Sequence, residues 1–137
     1  MTDLPATTEN ILLVSNLIFN VLNENHTSSN ILAEMLDVKP NTMKGKCYIA
    51  SAALYQFFDG NNLNLYRKKD IAGEYHWWCI TDDGIVIDIT SSQYEIEGLP
   101  IPSQSITGAE KMKPLWFPSL KDKVSYIIKE TRKMLVT

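Results

Sequence analysis

The chain has 137 residues, 45% of them hydrophobic and 21% charged, with a net charge of −3. These are ordinary values for a soluble globular protein, and the length suits one compact domain spanning residues 1–137. There is no long basic run, which argues against a chain built to hold nucleic acid; Lys44, Lys46, Arg67, Lys68 and Lys69 read as a solvated surface.

The opening MTDLPATTEN is polar and acidic, unlike a secretory signal. The apolar stretch 11–19 is too short for a membrane span, which takes about 20 residues. The expectation is a cytoplasmic protein without membrane association. In that reduced setting the two cysteines, Cys47 and Cys79, are not expected to pair, and a lone Cys with a His elsewhere reads as a candidate nucleophile.

The first helix is expected over residues 8–23. Ile11, Val14, Ile18 and Leu22 recur at helical spacing, as do Leu13, Leu17 and Val21, making a wide apolar stripe. A polar loop follows over 23–29, then a short helix over 30–36, with Pro40 disfavouring helix at Lys39. A further helix over 47–58 is apolar nearly all round: Ile49, Ala50, Ala52, Ala53, Leu54, Phe57 and Phe58 leave little polar face. Such a helix is usually buried in the middle of a domain. Gly60 is suited to its left-handed cap.

Strands are expected over 63–66, 75–81 and 85–90. The last two are joined by Asp82-Asp83-Gly84, a hairpin signal. Residues 95–118 carry Pro100, Pro102, Pro114 and Pro118 and read as mostly loop with room for one edge strand. The last helix is expected from Ser119, with Ser119 and Asp122 forming a capping box and Leu120, Val124, Ile127, Ile128, Met134 and Leu135 its apolar stripe. Helices, then an antiparallel sheet, then a closing helix make an α+β fold, not an alternating βαβ one.

Cys47, His76 and Asp88 carry the candidate chemistry. At a helix start, unpaired amides and the helix dipole favour a thiolate and can bond an oxyanion. With a three-residue loop, Thr81 pairs with Ile85, Trp78 with Asp88 and His76 with Thr90. His76, Trp78 and Ile80 then share a face with Val86, Asp88 and Thr90. Asp88 becomes the diagonal neighbour of His76, roughly 7–8 Å away between Cα positions. A two-residue Asp83-Gly84 turn would send Asp88 to the opposite face. The triad therefore stakes itself on the longer loop. Taken singly, Cys47 reads as one more small core residue, His76 as a strand-end histidine and Asp88 as a turn cap. Cys79 lies on the opposite strand face from His76 and no CxxC occurs, so neither a metal nor another cofactor is expected. Trp78, beside His76, could wall a substrate groove.

Gly45-Lys46-Cys47 opening an Ala-rich helix, then His76-Trp77-Trp78, Asp83-Gly84 and Asp88-Ile89-Thr90-Ser91-Ser92-Gln93-Tyr94, resembles the YunG-type family of small bacterial and phage proteins. The match covers about residues 45–94. That family looks like a compact relative of the papain-like superfamily, alongside NlpC-type amidases and transglutaminase-like proteins. The resemblance implies a nucleophile at Cys47, a base at His76 and an orienting carboxylate at Asp88. Papain-type peptidases often place an oxyanion-stabilising Gln shortly before the Cys; here Asn41, a shorter amide, stands in that region. Gln93 belongs to the family pattern, either meeting substrate or tethering the turn.

These residues lead to a cysteine hydrolase or acyl-transferase acting on an amide or isopeptide bond, with a peptide or protein substrate. The rival reading is an inert papain-like binding protein, for example a phage-type inhibitor of a host factor. A third is an assembly component that docks a partner through residues 95–118. Oligomeric state is open.

Overall fold

The computed structural model describes residues 4–23, 46–115 and 118–136. The loop and short helix expected over 24–36 lie outside these residues, as do Asn41 and the Ser119 side chain with its capping box.

Helix α1 (Thr8–Leu22) starts where Thr7 Oγ1 accepts from the Asn10 amide at 3.2 Å, an N-cap that satisfies one orphan donor of the first turn. Ile11, Val14, Ile18 and Leu22 are wholly buried. The second expected row buries only in part, since Leu13 stays exposed while Val21 is covered. The helix thus turns one stripe inward, narrower than the sequence pattern suggested.

Helix α2 (Cys47–Phe57) buries Cys47, Ile49, Ala50, Ser51, Ala52, Ala53 and Leu54. Its small side chains let α1, the C-terminal helix and two strands approach it at once, so it forms the centre of the core. Its C-terminus closes with the Gly60 amide on the Tyr55 carbonyl at 2.8 Å and the Asp59 amide on Gln56 at 3.1 Å. That is a Schellman pattern in which Asp59, at φ 53°, takes the first left-handed position. Gly60 follows it at φ 72°, and a Cβ there would sit 2.7 Å from the Tyr55 hydroxyl.

Strands β1 (Leu63–Lys69), β2 (Tyr75–Thr81), β3 (Val86–Ile87) and β4 (Glu110–Met112) form an antiparallel sheet in the order β3-β2-β1-β4. β1 runs three residues longer than expected because its whole length pairs with β2, down to Lys69 opposite Tyr75. β4 is the edge strand foreseen within 95–118. β3 is much shorter than the expected 85–90. The chain leaves the sheet at Asp88 and winds into a turn, with the Gln93 amide on Thr90 and the Tyr94 amide on Ser91. Helix α3 (Ser92–Glu97), absent from the sequence reading, follows; Gly98 ends it at φ 68°. A 3-10 turn (Pro102–Gln104) and β4 come next, so residues 95–118 hold more structure than a loop.

The two faces of the sheet differ. Leu63, Leu65, Trp77, Cys79 and Ile87 join the main core with α1, α2 and helix α4 (Pro118–Leu135). His76 and Trp78, alternate residues of β2, point to the other face and are covered there by α3 and the 3-10 turn. α4 buries Val124, Ile127 and Thr131 against α1 and α2, with Leu120, Ile128 and Leu135 partly covered. The chain is an α+β protein with its Cys-bearing helix buried against a small antiparallel sheet. Among the described residues, no helix is long and apolar enough to cross a membrane.

The density around α2 sets an expectation. Ala53 is completely buried, so Ala53→Leu should cost about 1–3 kcal/mol through overpacking, read as a lower urea midpoint with an unchanged slope.

Candidate active site

The hairpin carries two of the three residues. Ile80 faces Val86, Cys79 faces Ile87, and the Thr81 amide bonds the Ile85 carbonyl at 2.9 Å. This is the three-residue loop, with Gly84 at φ 92° in the left-handed position such a loop requires. The register sets Asp88 on the His76 face. His76 Nε2 and Asp88 Oδ2 meet at 2.8 Å, with the imidazole wholly buried and the carboxylate nearly so.

Cys47 is the first residue of α2 and only 8% exposed. Its Sγ lies 3.8 Å from the Tyr75 carbonyl oxygen, at the start of β2. The hydrogen-bond partners of the His76 ring are Asp88 on Nε2 and Gln93 on Nδ1, and Cys47 lies near enough to act on its charge. Burial alone would push the His76 pKa down. The bond to Asp88, the closeness of Cys47 and the negative charge on each outweigh it and lift the value to about 9. A thiol, an imidazole and a carboxylate stand in series.

The start of α2 is anchored by its neighbour. Lys46 is buried, and its Nζ donates to the Leu22 carbonyl at 2.9 Å, at the C-terminal end of α1. A cation there meets the negative end of the α1 dipole, while burial lowers its pKa. With donors only, its side chain makes no cap bond to the first-turn amides of α2.

One supporting residue carried no signal in the sequence. Ser103, from the 3-10 turn, donates its hydroxyl to Asp88 Oδ2, the oxygen that also holds His76. Only Pro102 hinted at a turn there, and nothing local tied it to a position 15 residues earlier. Tyr94 sets its ring edge-on to His76 at 4.8 Å and donates its hydroxyl to Asp70 Oδ2 at 2.8 Å. Gln93 brings Nε2 to within 3.5 Å of His76 Nδ1, while its Oε1 is buried with no partner among the described residues.

Trp78 does not wall a groove. It is wholly buried, stacked between Tyr66 at 6.3 Å and His76 at 6.0 Å, and backs the imidazole from within. It is too far inside the sheet to meet solvent. Cys79 faces the main core and donates to the Ser51 carbonyl at 3.4 Å; burial, then the charge of Asp88, pushes its thiol up. Both cysteines are free thiols. Among the described residues no three His, Cys, Asp or Glu side chains are grouped to hold a metal.

A cavity of about 160 Å³ opens over Cys47, lined among others by Gln93, Tyr94 and Tyr75. Two larger hollows, of about 720 and 620 Å³, lie beside α4 and contain neither Cys47 nor His76. Volume alone would favour them, but Cys47 lines the small one. No protein-family model, curated protein or solved structure matches this chain.

The His76 proton gives a test with a definite sign. A histidine whose pKa is raised by folding adds stability that is complete below its unfolded value of about 6.5. That stability is lost as pH climbs through about 9. Urea melts should give a lower unfolding free energy at about pH 9.5 than at about pH 6. Asp88→Asn should shrink that difference.

Proposed function

We propose that this protein is a cysteine hydrolase or acyl-transferase of papain-like architecture, acting on an amide or isopeptide bond of a peptide or protein. The observation that carries the reading is the buried His76–Asp88 bond, with Cys47 at the start of α2 beside the Tyr75 carbonyl, the residue next to His76. In this reading the thiol proton already rests on His76, and Cys47 Sγ attacks the carbonyl carbon. The α2 amides hold the oxyanion of the tetrahedral intermediate. As the intermediate collapses, the carbon–nitrogen bond breaks, the amine leaves with the His76 proton and a Cys47 thioester remains. Water or a second amine then attacks the thioester. Asp88, steadied by Ser103, keeps the imidazole in one tautomer and orientation. We place the protein in the cytoplasm, where the two free thiols would persist.

The second reading, an inert scaffold that binds a protein partner, draws on the size of the cavity. At about 160 Å³ it is smaller than typical ligand sites, which run to roughly 300–1,000 Å³. In that case Cys47→Ala leaves partner capture intact.

Chloroacetamide labelling followed by mass spectrometry separates the two. At about pH 6, Cys47 should be modified far faster than the buried Cys79, and His76→Ala should slow it about a hundredfold. Slow and equal modification of both thiols would rule out the enzyme.

A further inference from the structure

Two segments of chain wall the cavity over Cys47. One is the β1–β2 turn with the start of β2, contributing Asp70, Glu74 and Tyr75; the other is α3 and the residue beyond its cap, contributing Tyr94, Glu97 and Leu99. Cys47 is only 8% exposed, so a reacting group must enter this space to reach the sulfur.

The two walls are tied together. The Tyr94 hydroxyl, from α3, donates to Asp70 Oδ2, from the turn, at 2.8 Å. Both partners are held in place. Asp70 Oδ1 accepts from the amides of Ala72 and Glu74 at 2.9 and 3.0 Å, and the Asp70 amide bonds the Glu74 carbonyl at 2.7 Å. Burial pushes its carboxyl up, but its bonds and the positive charge of His76 hold it below the usual range. Tyr94 is buried, with its amide on the Ser91 carbonyl and its own carbonyl taken by the Leu99 amide, both at 3.0 Å. Its ring meets the His76 imidazole edge-on, and that ring is fixed in turn by Asp88 and Trp78. Tyr94 is thus hemmed in by the imidazole on one side and tied to Asp70 at its tip.

Elsewhere both walls meet solvent: Ile71 in the turn and Ile96 on α3 are exposed. The Tyr94–Asp70 bond therefore sets their spacing. The space left is about 160 Å³, near half the lower end of the roughly 300–1,000 Å³ of ordinary ligand sites. A substituent that overfills it must displace a wall, and packed walls yield at a cost.

We propose that Tyr94, held by Asp70, is the specificity-determining residue of the Cys47 site and limits it to acyl groups whose side chain, next to the carbonyl that Cys47 attacks, is as small as that of glycine or alanine. This rests on the hydrolase reading above and adds the substrate class to it.

Two assays test it, one with turnover and one without. The first compares p-nitrophenyl esters of N-acetyl-glycine, N-acetyl-alanine and N-acetyl-phenylalanine. In each, Cys47 Sγ bonds the acyl carbon, p-nitrophenolate leaves, and water hydrolyses the thioester. With each rate divided by that of glutathione on the same ester, kcat/KM for the alanine ester should exceed that for the phenylalanine ester by about tenfold or more. The second assay compares labelling of Cys47 by methyl and benzyl methanethiosulfonate, each transferring its thio group to sulfur with release of methanesulfinate. Relative to glutathione, the methyl reagent should react faster by a similar factor. Tyr94→Phe removes only the hydroxyl and should narrow both gaps. Asp70→Asn should preserve them, since its oxygen keeps the two backbone amides and its amide group donates to the Tyr94 oxygen. The wild-type comparisons test the size limit with no variant needed. Cys47-dependent hydrolysis of all three esters at equal relative rates overturns the size limit and leaves the triad standing. Unchanged gaps in folded Tyr94→Phe overturn Tyr94 as the determinant. A size preference in labelling without hydrolysis of any ester overturns the hydrolase, and the substrate class with it, and leaves a narrow site around a thiol. No preference and no hydrolysis overturns both.

Discussion

The buried bond between His76 and Asp88 is the constraint on which the arrangement turns. Two ionisable side chains taken out of water are costly unless each is fully occupied, and losing one partner leaves the other stranded. The structure meets that demand at Asp88 Oδ2, while Oδ1 is buried without a partner among the described residues. Asp88 sits where β3 ends, so its bond to His76 marks the point at which the chain abandons the sheet. Ser103 returns from 15 residues on to donate to the same oxygen. Tyr94 and Trp78 exclude solvent from the two sides of the ring. Residues 88–104 therefore fold over a sheet face that would otherwise expose a histidine and a tryptophan.

The thiol reaches this pair from the other side of the sheet. α2 packs on the face that carries Trp77 and Cys79, whereas His76 belongs to the opposite face. The two can meet because Cys47 is at the end of its helix and close to the start of β2, beside the Tyr75 carbonyl. Lys46 ties this end of α2 to the end of α1 across 24 positions. An all-apolar helix could slide along a flat core with little penalty; a buried ammonium on a specific carbonyl gives it a stop. The position of Cys47 thus follows from one polar tether placed within an apolar interface.

Electrostatics concentrate at the same spot. His76 is held positive by its two partners, and the pinned Asp70 carboxylate feels that charge through the Tyr94 layer. A cation at the centre and carboxylates at the rim make a polarised cavity around a thiol. Arg67 and Lys69 lie over the Tyr75 ring, at the wall of the same cavity.

Much of the local structure was legible in the sequence because its causes are local. Periodicity placed α1 and α2 nearly to the residue, and the Asp82-Asp83-Gly84 loop set the hairpin register that brings His76 and Asp88 to one face. The reading failed where side chains answer to distant partners. β3 was drawn too long because its apolar run hides the point at which Asp88 leaves for His76. α3 was missed because a six-residue helix has too little periodicity to register. Trp78 looked like a groove wall until Tyr66 and His76 closed around it. By itself the sequence determined the helices, the turn and the shared face, since each depends on neighbours a few positions away. Only the tertiary structure decided that Cys47 comes to the start of β2 beside Tyr75 and that Ser103 supports Asp88, because those contacts join segments whose separation along the chain carries no period to read.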